Sequence, residues 1–120
     1  MSARESWLRF AVMRAALGER IVYVCARRDS TREAIRVAEK MVKQAPFNRW
    51  VARICWALGE QQIRFTSGGT ITFLVPRDYG WQGLSADALI SEPEAHISDY
   101  ALVGVKTVHR TSDNCPRSPT

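Results

Sequence analysis

The sequence predicts an α/β domain built on a mostly parallel sheet with one β-hairpin. Three observations lead there. "IVYVCA" (21–26) is an unbroken β-branched and aromatic run set between two helix-patterned segments, and such runs mark strands covered on both faces. In "QIRFTSGGTITFLVP" (62–76, with Gln62 at its head), two β-rich runs flank Ser67-Gly68-Gly69, where glycine supplies the positive φ of a tight turn. "ADALIS" (86–91) is a second short apolar run after a long connection. Buried strands separated by long connections are most simply parallel neighbours in one sheet.

The elements follow in order. Ser2 and Glu5 form an S-x-x-E capping box, a helix-start signal. Trp7, Leu8, Ala11, Val12, Ala15 and Ala16 recur at helical spacing up to Gly18, a residue that commonly ends helices. After the strand, Ser30 and Glu33 repeat the capping box, and the second helix is expected to run to about Gln44, with Pro46 stopping it. Asn48 is positioned to cap a third helix carrying Trp50, Ile54, Cys55 and Leu58 and closed by Gly59. The hairpin, a loop "RDYGWQGLS" and the strand "ADALIS" come next, and Pro93 prevents a regular continuation. Residues 99–109 fit two descriptions: Ser98 can cap a helix, whereas "ALVGVKTV" (101–108) has strand composition. A single domain over 1–110 is expected, with 111–120 a disordered tail.

Composition narrows the class. At 120 residues, 46% apolar and 24% charged, the chain suits one globular core. The net charge of +5 is uneven: residues 1–64 carry +7 and residues 65–120 carry −2. A basic half suggests a face that meets an anion, although a solvated arginine-rich surface gives the same count. Cys25, Cys55 and Cys115 form no C-x-x-C or Cys/His cluster, so no zinc site is expected. Cys25 and Cys55 read as small core residues in a reducing compartment. No signal-peptide pattern and no run of 18 apolar residues occurs, so a cytoplasmic chain without membrane contact is expected.

Four constellations carry candidate chemistry. Arg27, Arg28, Asp29 and Ser30 sit where a buried strand hands over to a helix, the place where open α/β sheets bind ligands and where helix N–H groups favour anions. On the helix, Arg32, Arg36, Lys40 and Lys43 fall four, four and three apart and share one face. That stripe can track a nucleic-acid backbone without reading sequence; the alternative is a solvated face stabilised by pairs such as Glu39–Lys43. Asp87, Ser91 and Glu92 bracket the second apolar strand. His96 and His109 have no partner at a catalytic spacing and read as surface or capping residues. Among the aromatics, Trp50 and Trp56 read as core or docking anchors on the third helix, and Trp81, between glycines, as the better exposed contact.

The succession "GERIVYVCARRDSTREAI", "IRFTSGGTITFL" and "QGLSADALISEPEAH" resembles the ATPase core of phage terminase large subunits and, more loosely, helicase-type RecA-like domains. The resemblance spans roughly residues 6 to 97. It implies a RecA-like or Rossmann-like three-layer fragment. The departures concern the chemistry. No G-x-x-x-x-G-K-[ST] occurs, Glu5 stands where the phosphate-loop lysine would be, and Gln82-Gly83 stand where Arg-Gly is usual. Ser91 replaces the metal-binding Asp, while Glu92 matches the catalytic Glu. Triphosphate cradle and metal ligand are thus both missing, so independent ATP hydrolysis, a cofactor and a bound metal are not expected.

The resemblance therefore implies a phage-encoded, non-catalytic module in the host cytoplasm that binds DNA or a nucleoprotein with little sequence preference. Two other functions stay open. One is an adaptor or inhibitor that docks on a host or phage ATPase through an exposed sheet edge. The other is an enzyme completed in trans, or a small nuclease, using Asp87, Glu92 and Glu94. The apolar strand at 88–90 needs a neighbour on each side. The hairpin is expected on one side, and on the other either residues 101–108 or a second copy of the chain. The expected state is thus a monomer or a homodimer.

Overall fold

The computed structural model describes residues 3–44, 47–56, 61–75 and 86–92, and the backbone of 105–110. In chain order these form α1 (Ala3–Ala16), β1 (Arg20–Val24), α2 (Arg28–Val42), a 3-10 turn (Phe47–Arg49), β2 (Val51–Cys55), β3 (Gln62–Phe65), β4 (Thr70–Leu74), β5 (Ala86–Ser91) and β6 (Val105–Arg110). The strands make one sheet in the order β2-β3-β4-β1-β5-β6.

β1 lies inside this sheet, parallel to β4 and β5 on its two sides. Ile21, Tyr23 and Cys25 face the helices and Val22 and Val24 face away, yet all five are at most 3% exposed. The unbroken apolar run in the sequence reflects this burial on both faces. α1 lays Trp7, Leu8, Ala11, Val12 and Ala15 on the sheet, and α2 adds Ala34, Ile35, Ala38 and Val42. Their partners, among them Ile63, Ile71, Phe73, Ala88 and Ile90, alternate along the strands and so belong to one face. Both described helices therefore share that face, and the described residues form two layers rather than three.

The sheet is mixed, not mostly parallel. β2–β3 and β3–β4 are antiparallel, while β1–β4, β1–β5 and β5–β6 are parallel. The extra antiparallel pairing comes from the segment expected to be a third helix. Val51–Cys55 is instead a strand, preceded by a single 3-10 turn. Trp50, Ile54 and Cys55 do fit helical spacing, but Val51 and Ile54 also pair across to Phe65 and Ile63. Cross-strand packing outweighs a weak local preference.

Two further expectations change. α2 starts at Arg28, with extended Arg27 at the N-cap and no side-chain cap hydrogen bond, so Ser30 and Glu33 form no capping box. Buried Thr31 is drawn into the first turn, and Glu33 is engaged by Arg4 instead. Cys55 is only half-buried, whereas Cys25 is in the core as expected. The strand needed beside β5 is supplied by β6 within the same chain, pairing Leu89 with Val108 and Ile90 with His109. Its other neighbour is β1, not the hairpin. Ser2, His96, Trp81, Glu94 and the tail 111–120 lie outside the described residues.

The hairpin turn is tied to α1. Ser67 Oγ donates to the Ala15 carbonyl at 3.0 Å and accepts from the Gly69 amide at 3.2 Å. Gly68 has φ +93°, and a Cβ on Gly69 would overlap the Ala15 carbonyl. The two glycines thus do different work: one makes the turn and the other lets the turn touch the helix end. Gly69→Ala is expected to cost about 1–3 kcal/mol by forcing packed backbone apart, more than the about 1 kcal/mol of left-handed strain in Gly68→Ala. Urea denaturation of both variants checks the order.

Candidate nucleic-acid interface

The carboxyl ends of β1, β4 and β5 meet at one end of the sheet. The Cys25 amide donates to the Leu74 carbonyl at 2.9 Å and the Glu92 amide to the Val24 carbonyl at 3.0 Å. Both helices begin at this end, so the sheet terminus, Arg4 and Arg27-Arg28 lie on one side of the molecule.

Glu92 is held tightly there. Arg4 Nε donates to Glu92 Oε2 at 2.8 Å and Arg4 Nη2 to Oε1 at 3.2 Å. Tyr23 Oη donates to Oε2 at 3.0 Å, and Arg4 Nη1 reaches Glu33 of α2 at 3.1 Å. The Glu92 side chain is 12% exposed. The hydrogen bond to Glu92 raises the Arg4 pKa above its ordinary value. Burial, then the Glu92 charge, pushes the Tyr23 phenol and the Cys25 thiol upward. A carboxylate gripped by a two-point guanidinium contact and a phenol is a strut joining α1, α2 and the sheet. In this arrangement both its oxygens are engaged.

The three residues of the suggested acidic site are not brought together. Asp87 opens β5, four residues and about 13 Å of strand from Ser91, and accepts from the Arg20 amide at 2.8 Å. Ser91 pairs with Val24 and so faces away from the helices, whereas Glu92 faces them. Among the described residues no group of three or more His, Cys, Asp or Glu is placed to hold a metal ion. His109 stands on β6 opposite Ile90.

The basic face of α2 does form. Arg32, Arg36, Lys40 and Lys43 are exposed, as is Arg27 at the N-cap, with Arg28 half-buried in the first turn. Lys43 pairs with Glu39 at 3.2 Å, so the expected helix pair is present at the far end of the stripe. Arg32 and Arg36 have no ion-pair partner among the described residues. They border a cleft of about 250 Å³ that is also lined by Trp56 and Gln61.

Trp56 and Gln61 reach the cleft because β2 is a strand. Trp56 follows the end of β2 and Gln61 precedes β3, so both sit at the sheet end beside the opening turns of α2. Helical spacing hides this, since it assigns Trp56 to a helix interior. The β-branched Val51 and Ile54 are the compositional signal that points the other way. Arg4 is also invisible to spacing. A cation in the first turn opposes the helix dipole, and that local conflict is the clue that it serves a distant carboxylate.

No protein-family model matches the chain, and no curated protein and no solved structure is significantly similar to it. No described helix is long and apolar enough to cross a membrane.

Arg4→Ala is expected to destabilise the fold by about 1–3 kcal/mol, because it strands a largely buried carboxylate. The double variant Arg4→Ala/Glu92→Gln should cost clearly less than the sum of the singles. Denaturation of the four-member cycle measures the coupling.

A pH dependence follows from the raised phenol and thiol. The folded state keeps protons on Cys25 and Tyr23 where the unfolded chain releases them, near their ordinary values of 9.0 and 10.0. Their stabilising contribution is therefore complete below pH 9 and is lost as pH rises past 9 to 10. Stability measured from pH 7 to 11 should fall at the alkaline end, and less steeply in Tyr23→Phe.

Proposed function

We propose that this chain is a non-catalytic, terminase-like module, a degenerate relative of nucleotide-hydrolysing domains, that binds nucleic acid or a nucleoprotein through α2. The observation that carries the proposal is the exposed run of Arg32, Arg36 and Lys40 along one face of α2, continued by Arg27 at its N-cap, with no described ion pair at Arg32 or Arg36. Such a line attracts a phosphate backbone by charge and carries no base code. The succession of segments read in the sequence, from "GERIVYVCARRDSTREAI" through "IRFTSGGTITFL" to "QGLSADALISEPEAH", motivates the terminase-like reading. Its non-catalytic part draws support from Glu92, whose oxygens are occupied by Arg4 and Tyr23.

A second reading has its own observation. At the opposite end of the domain Met13, Ala16, Leu17, Phe47 and Trp50 line an apolar groove of about 540 Å³. Leu17 is 79% exposed and Met13 53%. Exposed apolar surface of this kind suits a protein adaptor.

Binding to mixed-sequence oligonucleotides, followed against salt, tests the first reading. Affinity should fall steeply with salt and change little with sequence. Arg32→Ala/Arg36→Ala should lower the magnitude of the log–log salt slope by about 1.4 on single strands, or about 1.8 on duplex. An unchanged slope would move the interface away from α2.

A further inference from the structure

We infer that the cleft between α2 and the β2–β3 end is a subsite for one unpaired nucleotide of single-stranded nucleic acid, its base against Trp56 and its phosphate on Arg32 and Arg36. The subsite presupposes that α2 meets nucleic acid and specifies the form it takes there.

The chemistry of the lining points to a nucleotide. Arg32 and Arg36 lie one helical turn apart, about 6 Å along the axis, and both border the cleft. Like charges four residues apart on a helix repel weakly, and an anion between them relieves that repulsion. Phosphate oxygens accept from a guanidinium fork in two-point geometry. Trp56 is 43% exposed, leaving indole surface at the same cleft. A base stacks on such a ring whatever its identity.

Gln61 adds a polar side chain to the lining. It is 2% exposed, and its Oε1 has no hydrogen-bond partner among the described residues. A buried oxygen without a donor costs free energy. The terminal torsion of a glutamine is broad, so the amide can turn toward the cleft, where a base N–H donates to it or a base carbonyl accepts from it.

Size and surroundings select the strand. A cavity of about 250 Å³ admits a base with part of its backbone and no double helix. In a duplex the faces of the bases are already stacked on one another, so only an unpaired base can reach the indole. Exposed Arg27 and Lys40 extend the basic line beyond the cleft in both directions, which suits a continuing backbone better than a free nucleotide.

The test uses the full chain with fluorescein-labelled oligothymidylate, an abasic strand of equal length, and a duplex of equal length, at one salt concentration. Oligothymidylate should bind more tightly than the other two. Trp56→Ala should weaken it about 5- to 100-fold while leaving the abasic strand's affinity and the salt slope unchanged. Trp56→Phe should restore most of the loss. Thymidine monophosphate at millimolar concentration should fail to displace the strand. If Trp56→Ala has no effect while Arg32→Ala/Arg36→Ala still lowers the salt slope, the subsite is wrong and the α2 interface stands. An equal loss on the abasic strand makes Trp56 structural and overturns the subsite. Displacement by micromolar monophosphate also overturns it in favour of a free nucleotide. If no strand binds at all, the subsite and the α2 interface fall together.

Discussion

The double-sided burial of β1 is the constraint on which the rest of the domain depends. Its residues Ile21 to Val24, and Cys25 just after it, are almost wholly removed from water, and each large apolar side chain so buried contributes about 1.5–3 kcal/mol. Its backbone groups find partners in β4 and β5. Covering the helix side brings α1 and α2 together over one face. The hydrogen-bond partners of β1 then set where the hairpin and β5 lie, and β6 in turn completes β5.

That arrangement sorts charge by location. The helix starts and the carboxyl ends of β1, β4 and β5 share one end of the molecule. There the acidic residue that would suggest hydrolysis is absorbed into an ion pair with Arg4 and a hydrogen bond from Tyr23. Arg32 and Arg36 of α2 have no such ion pair among the described residues. Arg32 and Arg36 face outward beside Trp56 and Gln61, so the surface left for a ligand at this end is cationic and aromatic. The exposed apolar surface at Leu17 and Met13 sits at the other end, which keeps the cationic surface and the apolar surface apart.

β1, the hairpin and β5 are legible in the sequence because each carries a strong local signal: an unbroken apolar run, a Ser-Gly-Gly turn, and a short apolar strand. α1 is legible from its spacing. β2 is not, because Trp50, Ile54 and Cys55 satisfy a helical period while their actual pairing with β3 is decided across the sheet. The start of α2 is misplaced by three residues, from an N-cap at Ser30 to one at Arg27, for a similar reason: the Ser30–Glu33 pattern is local, and Glu33 is engaged by a residue 29 positions away. The basic stripe is legible because helical spacing alone puts Arg32, Arg36 and Lys40 on one face. The cleft is not, since its Trp56 and Gln61 depend on the misread strand. The acidic triplet of Asp87, Ser91 and Glu92 dissolves because strand geometry separates its members by end and by face.

The central claim is that the nucleic-acid surface lies along α2 and the adjoining end of β2–β3. Backbone amide chemical-shift mapping with a short single-stranded oligonucleotide tests it most directly. Perturbations concentrated at residues 27–40, 54–56 and 61–62, with residues 13–17 and 47–50 silent, are the predicted result. Perturbations confined to the apolar end around Met13, Leu17 and Trp50, or none at saturating oligonucleotide, would contradict it.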